Sequence, residues 1–82
     1  MYTLYILCCA DNTLYTGITT DVERRVLEHN TSPKGAAYTR GRRPVQLVFQ
    51  QDYPNRSLAQ QAESQLKRLS RQEKLRLIQA QL

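Results

Sequence analysis

Tyr2–Ile18, YTLYILCCADNTLYTGI, decides the fold. Tyr2–Cys9 is rich in β-branched, aromatic and apolar residues on both of its alternating faces. A strand of that kind has to be covered on two sides, which puts it at the centre of a sheet. Ala10–Thr13 carries turn chemistry. Leu14–Ile18 then reads as a second strand, so the two form a hairpin with Tyr15 opposite Tyr5. Gly17, near the end of the second strand, marks a bulge or a place where another backbone or a ligand comes close.

Downstream, Thr20 followed by Glu23 is a capping-box signature, and Asp21 suits the positive end of a helix dipole. A helix is expected from about Asp21 to His29, with Asn30 as its stop. At about 100° per residue, Val22, Val26 and His29 fall on one stripe, and Arg25 adjoins them. An arginine and the chain's single histidine beside an apolar stripe must reach the rim or meet polar partners, because an unpartnered buried charge is costly. A snorkelling arginine and a histidine favouring the helix dipole would also fit.

Asn30–Pro44 reads as a loop punctuated by Pro33, Gly35, Gly41 and Pro44, with room for one helical turn around Ala36–Tyr38. Val45–Tyr53 reads as a third strand and residues 54–57 as a turn. Two helices follow, with capping-box pairs at Ser57/Gln60 and Ser70/Glu73. The first carries Leu58, Ala62, Leu66 and Leu69 on one face. The second carries Leu75, Ile78 and Leu82, with Leu77 beside them. The expected architecture is α+β: one domain over residues 1–82, in the order β-β-α-β-α-α, a three-stranded sheet with helices on both faces.

The net charge of +5 and pI of about 9.6 suit a polyanionic partner. Nucleic acid fits better than a membrane, since no helix combines Lys/Arg with Trp/Phe as an interfacial anchor does. The run Leu4–Ala10 is too short to span a bilayer, and no leader pattern precedes it, so a cytoplasmic placement is expected. Cys8 and Cys9 are neighbours on opposite strand faces and are expected as free thiols. The absence of a CxxC or Cys/His cluster argues against structural zinc.

Tyr5, Tyr15, Arg25, His29 and Glu63 form a coherent set for phosphodiester hydrolysis. A carboxylate with waters can hold Mg²⁺ (or Mn²⁺), a guanidinium can face developing negative charge, and a general base must take the proton of the attacking water. Lys67, four residues after Glu63, equally allows a plain surface ion pair. The basic loop Tyr38–Pro44 offers Arg40, Arg42 and Arg43 as a phosphate clamp, with Tyr38 for stacking on a base. Arg24 and Lys67 extend that nucleic-acid-binding set.

These residues resemble the motifs of the GIY-YIG nuclease domain. Its first motif appears as Thr3-Leu4-Tyr5 and its second as Tyr15-Thr16-Gly17. The helix arginine matches Arg25, the histidine one turn later His29, and the metal-binding glutamate Glu63. The likeness spans essentially the whole chain and is closest to small stand-alone bacterial members. It implies an antiparallel sheet with the first strand central, a catalytic set of Tyr5, Tyr15, Arg25, His29 and Glu63 on one face, and Glu63 as sole protein ligand for Mg²⁺ or Mn²⁺. Tyr5 looks like the base, with Tyr15 and His29 assisting, although the order among these three varies in the family. Residues 64–82 contain no asparagine, where many members carry one after the glutamate helix. With no module for reading base sequence, the expected activity is a metal-dependent DNA endonuclease selective for structure or damage. Its DNA would be branched, nicked or single-stranded, in repair or recombination. The alternative is a non-catalytic nucleic-acid-binding module. Oligomeric state is left open.

Overall fold

The computed structural model describes residues 1–32 and 34–81. Pro33, read above as loop punctuation, and Leu82, read as part of the last apolar stripe, lie outside the described residues. The elements are β1 (Tyr2–Cys8), β2 (Leu14–Thr19), α1 (Val22–Thr31), α2 (Ala37–Arg40), β3 (Gln46–Tyr53), α3 (Arg56–Lys67) and α4 (Arg71–Gln81). The sheet is antiparallel with order β2-β1-β3. The apolar first strand is therefore central, as its two covered faces require.

The β1–β2 turn closes through Cys9 N–H to the Thr13 carbonyl at 2.9 Å. Asn12 takes a positive φ of 67° there, a conformation that asparagine tolerates better than most residues. This closure sets the register. Tyr5 pairs with Gly17, and Tyr15 pairs with Leu7. The expected Tyr5–Tyr15 opposition is thereby corrected: Tyr15 lies two residues along β2 on the same sheet face. Cys8 and Cys9 are free thiols.

Strand alternation divides the interior in two. Leu4 and Ile6 face α3 and α4, packing with Leu66, Ile78, Ala62 and Phe49. Tyr5 and Leu7 face α1, packing with Val22, Val26, Tyr15 and Val45. A register shift opposite Ile6 and Leu7 makes Val48 an extra residue in β3, so Val48 and Phe49 both pack on the first of these clusters. On the free edge of β3, the Gln81 carboxamide takes the Gln50 N–H and C=O at 3.2 and 2.6 Å. A side chain thus substitutes for a neighbouring strand and blunts that edge.

Three local expectations shift by a residue or two. Asp21, not Thr20, caps α1, its side chain accepting from the Arg24 N–H at 3.1 Å. Asn55, not Ser57, caps α3 by accepting from Leu58 N–H at 3.0 Å. The buried stripe of α3 consequently includes Ala59, while Leu58 is exposed. A small side chain at Ala59 lets the helix backbone lie close to the sheet. At α4, the Ser70/Glu73 capping box forms as expected. Of its apolar residues Ile78 is buried, whereas Leu75 and Leu77 remain exposed, because α4 packs mainly along the β3 edge. Among the described residues no helix is long and apolar enough to cross a membrane.

Candidate active site

Tyr5 points from the central strand across β2. At Gly17 an added Cβ would lie 2.6 Å from the Tyr5 hydroxyl. Only glycine leaves room for the ring to pass, so the close approach expected at this position is that of a side chain. α1 brings His29 onto the same face. His29 is fully buried, and both ring nitrogens have partners. Nε2 lies 3.0 Å from the Tyr5 hydroxyl and Nδ1 lies 2.9 Å from the Thr39 hydroxyl. These partners answer the desolvation problem raised by a histidine on an apolar stripe.

Burial pushes the Tyr5 phenol up to about 12, although the nearby Arg25 guanidinium favours the ionised form. Burial, with the Arg25 charge beside it, pushes His29 down to about 4. At neutral pH the pair is a neutral phenol against a neutral imidazole. The consequence for stability has a definite sign. The unfolded histidine binds a proton below about pH 6.5, whereas the folded one stays neutral until about 4. Stability is therefore expected to fall as pH drops through that window, by about 3 kcal/mol in all. Chemical denaturation between pH 7 and pH 4 checks this, and the slope assigned to this group should disappear in His29→Gln.

Arg25 is half-buried. Its Nη1 donates to Glu28 Oε1 at 3.0 Å and to the Lys34 carbonyl at 2.9 Å, which holds the guanidinium near Tyr5. Tyr15 meets the His29 ring edge-on, with centroids 5.2 Å apart. Tyr38 stacks on Tyr15 at 5.8 Å, and the Arg42 guanidinium lies 4.0 Å above Tyr38. Arg42 is tied in turn to Asp11 at 3.0 Å and to the Tyr38 carbonyl at 2.8 Å. A layered column thus runs from His29 through Tyr15 and Tyr38 to Arg42. Tyr15 and Arg42 both lie against the Tyr38 ring, which remains 39% exposed.

Arg43 is turned inward. Its guanidinium donates to the carbonyls of His29, Ser32 and Glu28 at the end of α1. It satisfies orphan carbonyls of the last helical turn, which removes it from the phosphate clamp drawn from sequence. Arg43→Ala is expected to cost about 1–3 kcal/mol of stability, since it removes the donors to half-buried carbonyls at the end of α1, while exposed Arg40→Ala should stay within about 0.5 kcal/mol. Thermal unfolding of both variants makes the comparison. Among the described residues, Arg24 and Arg40 make no side-chain hydrogen bond or ion pair, and both are exposed. They remain available to phosphates.

Glu63 stands apart from this cluster. It lies on α3, whose apolar residues pack on the opposite sheet face, and its Oε2 is 3.6 Å from Lys67 Nζ. Its charge reaches Tyr5, yet no hydrogen bond joins Glu63 to the cluster among the described residues. The structure therefore gathers Tyr5, Tyr15, Arg25 and His29 directly and leaves Glu63 within electrostatic range. Sequence reasoning missed two residues. Thr39 is fully buried against His29, and Asn30, expected as the helix stop, lies inside α1, which runs on to Thr31 with Ser32 as its C-cap. Asn30 pairs with the Val45 N–H and C=O at 2.7 and 3.1 Å, fastening the start of β3 to α1. Neither position lies in a periodic pattern, so only its polar side chain marked it. A groove of about 350 Å³ bordered by Leu4, Phe49, Tyr53, Ala62, Leu66 and Leu77 lies on the α3/α4 side and is separate from these polar groups.

This arrangement is that of a nuclease-type domain. The family model of the GIY-YIG catalytic domain matches residues 1–76, and the chain belongs to this family. A UPF0213 protein of Desulfotalea psychrophila is 53% identical over 77 residues, covering 94% of this chain and 70% of that protein. A UPF0213 protein of Natronomonas pharaonis is 55% identical over 75 residues, covering 92% of this chain and 87% of its own. The solution NMR structure of a UPF0213 protein from Bacillus halodurans superposes with a TM-score of 0.62 at 46% identity, over 98% of this chain and 85% of that one.

Proposed function

We propose that this domain hydrolyses DNA phosphodiester bonds at the face formed by Tyr5, Tyr15, Arg25 and His29, with Glu63 holding Mg²⁺ or Mn²⁺. The observation that carries the reading is the fully buried Tyr5–His29 hydrogen bond of 3.0 Å beside the Arg25 guanidinium. A buried phenol with a proton acceptor and a fixed cation is costly to build for packing alone.

The donor set suits such a metal. Among the described residues no three His, Cys, Asp or Glu side chains gather, which speaks against a closed site with several protein ligands. Glu63 offers hard carboxylate oxygens, and Mg²⁺ is commonly held by one carboxylate, waters and substrate phosphates. When bound, the ion would neutralise phosphate charge. Arg25 would orient the phosphate and face its developing charge. Tyr5 would take the proton of the attacking water, with His29 and Tyr15 fixing its hydroxyl. Arg24, Arg40 and Lys67 would contact neighbouring phosphates, and Arg42 could do so by leaving Tyr38 and exposing that ring for stacking.

Among the described residues no helix-turn-helix or zinc finger is present to enter the major groove, and recognition of DNA shape is the mode proposed for this domain. Branched, nicked and single-stranded DNA are the proposed substrates, in repair or recombination. A second reading, a binding module without chemistry, draws on the Lys67–Glu63 contact, which gives the carboxylate a cationic partner on its own helix. Labelled single-stranded, duplex, nicked, flapped and branched DNAs incubated with Mg²⁺, with Mn²⁺ and with chelator test both. Metal-dependent cutting faster on branched or nicked DNA than on intact duplex supports the nuclease reading. Salt-dependent binding without cutting under any metal supports the module.

A further inference from the structure

The buried chain of hydrogen bonds continues past His29, and its far end determines its direction. Thr39 sits in α2, fully buried, and its hydroxyl donates to the Ala36 carbonyl at 2.9 Å. A hydroxyl has one proton. With that proton on Ala36, Thr39 Oγ1 faces the His29 Nδ1 at 2.9 Å as an acceptor. Nδ1 must then carry the imidazole proton, and Nε2 is a bare acceptor for the Tyr5 hydroxyl at 3.0 Å.

The other end of the chain requires the same direction. Tyr5 is 1% exposed, so its O–H needs an internal acceptor. Arg25, whose guanidinium bonds Glu28 and the Lys34 carbonyl, can only donate. Among the described residues the one hydrogen-bond acceptor for the Tyr5 proton is His29 Nε2. If the imidazole carried its proton on Nε2 instead, Tyr5 oxygen would face a donor and its own proton would have no partner.

We propose that Thr39 is a positioning residue that fixes the His29 proton on Nδ1 and thereby makes Nε2 the acceptor for the Tyr5 proton. The assignment of the tautomer stands on geometry alone. Its consequence for rate rests on the nuclease reading above. In that reaction, Tyr5 takes a proton from the attacking water as its own proton passes to His29 Nε2. The water oxygen bonds to phosphorus and the bond to the departing oxygen breaks. Tyr5 ends as a phenol again. His29 ends as an imidazolium with Nδ1–H still on Thr39, and returns the extra proton through its Nε2 partner, the Tyr5 hydroxyl, which passes its own proton to the departing oxygen. Thr39 touches neither substrate nor metal in this scheme, and acts through the ring it orients.

The chain's single histidine makes the test direct. The ¹⁵N chemical shifts of its two ring nitrogens at neutral pH report which one is protonated, with no assignment ambiguity. In the wild type, the proton is expected on Nδ1. Thr39→Val keeps the volume and removes the acceptor, so protonated Nε2 is expected to appear, with cleavage slower by at least about tenfold. Thr39→Ser keeps an acceptor and is expected to restore both the Nδ1–H signature and the rate. A wild-type proton on Nε2 overturns the proposal, whatever the variants do. So does a folded Thr39→Val protein that retains Nδ1–H and full cleavage. The wild-type spectrum decides the tautomer even if Thr39→Val fails to fold. If the spectra follow expectation and wild type never cuts DNA, the positioning role holds and the nuclease reading fails. If wild type cuts with its proton on Nε2, the reverse is true.

Discussion

Glu63→Gln is expected to abolish metal-dependent cleavage, lowering the rate by at least about 10³-fold, the scale of the phosphate-charge stabilisation a bound divalent ion supplies. The variant should remain folded. Glu63 makes only a long ion pair with Lys67 at 3.6 Å, and a pair of that kind contributes about 0–1 kcal/mol. DNA binding should be equal or tighter. The substitution removes a negative charge that repels phosphate and releases Lys67 for a phosphate contact. The slope of log K against log salt should steepen by up to about one unit, as expected when one more phosphate is neutralised. Cleavage assays alongside binding titrations at several salt concentrations measure both effects. Full cutting by the variant would remove Glu63 from the metal site. Loss of binding together with cutting would assign it a structural role.

Tyr5→Phe is expected to slow cleavage by about 10²–10⁴-fold, the usual contribution of a positioned acid–base group. The phenylalanine ring still fills the passage over Gly17, so packing is conserved. The cost to the fold is specific: His29 Nε2 loses its partner in a buried site, a loss of about 1–3 kcal/mol. A domain of this size should then melt roughly 4–20 °C lower. The pH profile identifies the proton's route. A Tyr5 proton passed to His29 requires only that the pair be neutral. Because burial holds His29 down at about 4 and Tyr5 up at about 12, cleavage should be flat across neutral pH. It should fall on the acid side as His29 takes up a proton. A phenolate formed beforehand by loss to solvent would make the rate rise about tenfold per pH unit instead. Rates measured from about pH 6 to pH 9, at fixed metal and salt, separate the two routes.

Much of this design is local and can be read along the chain. The alternation of β1, the turn at Asp11–Asn12 and the stripe of α1 specify a hairpin and a helix that present Tyr5, Tyr15, Arg25 and His29 to one another. The cap of α4 is equally local, because Ser70 and Glu73 are three residues apart. The caps of α1 and α3 slipped by one and two residues because several neighbouring side chains can each accept from the first free N–H groups. The tyrosine pairing slipped for a different reason. A hairpin's register follows from where its turn closes, and hydrophobic alternation leaves steps of two residues equivalent.

The basic loop shows where local reading ends. Arg40, Arg42 and Arg43 are alike in sequence and differ in the folded chain: one exposed, one over Tyr38 and bonded to Asp11, one holding the last turn of α1. The amino-acid sequence by itself determined the order of elements, the buried faces, the positive charge and the titratable set. The tertiary structure alone decided which polar groups became internal partners, making Thr39 the neighbour of His29, Asn30 the anchor of β3 and Arg43 a helix cap. The physical reason is that a polar side chain is stable in the interior only when a complementary group lies within about 3 Å. Distances of that kind between residues far apart in sequence exist only after packing has brought the elements together.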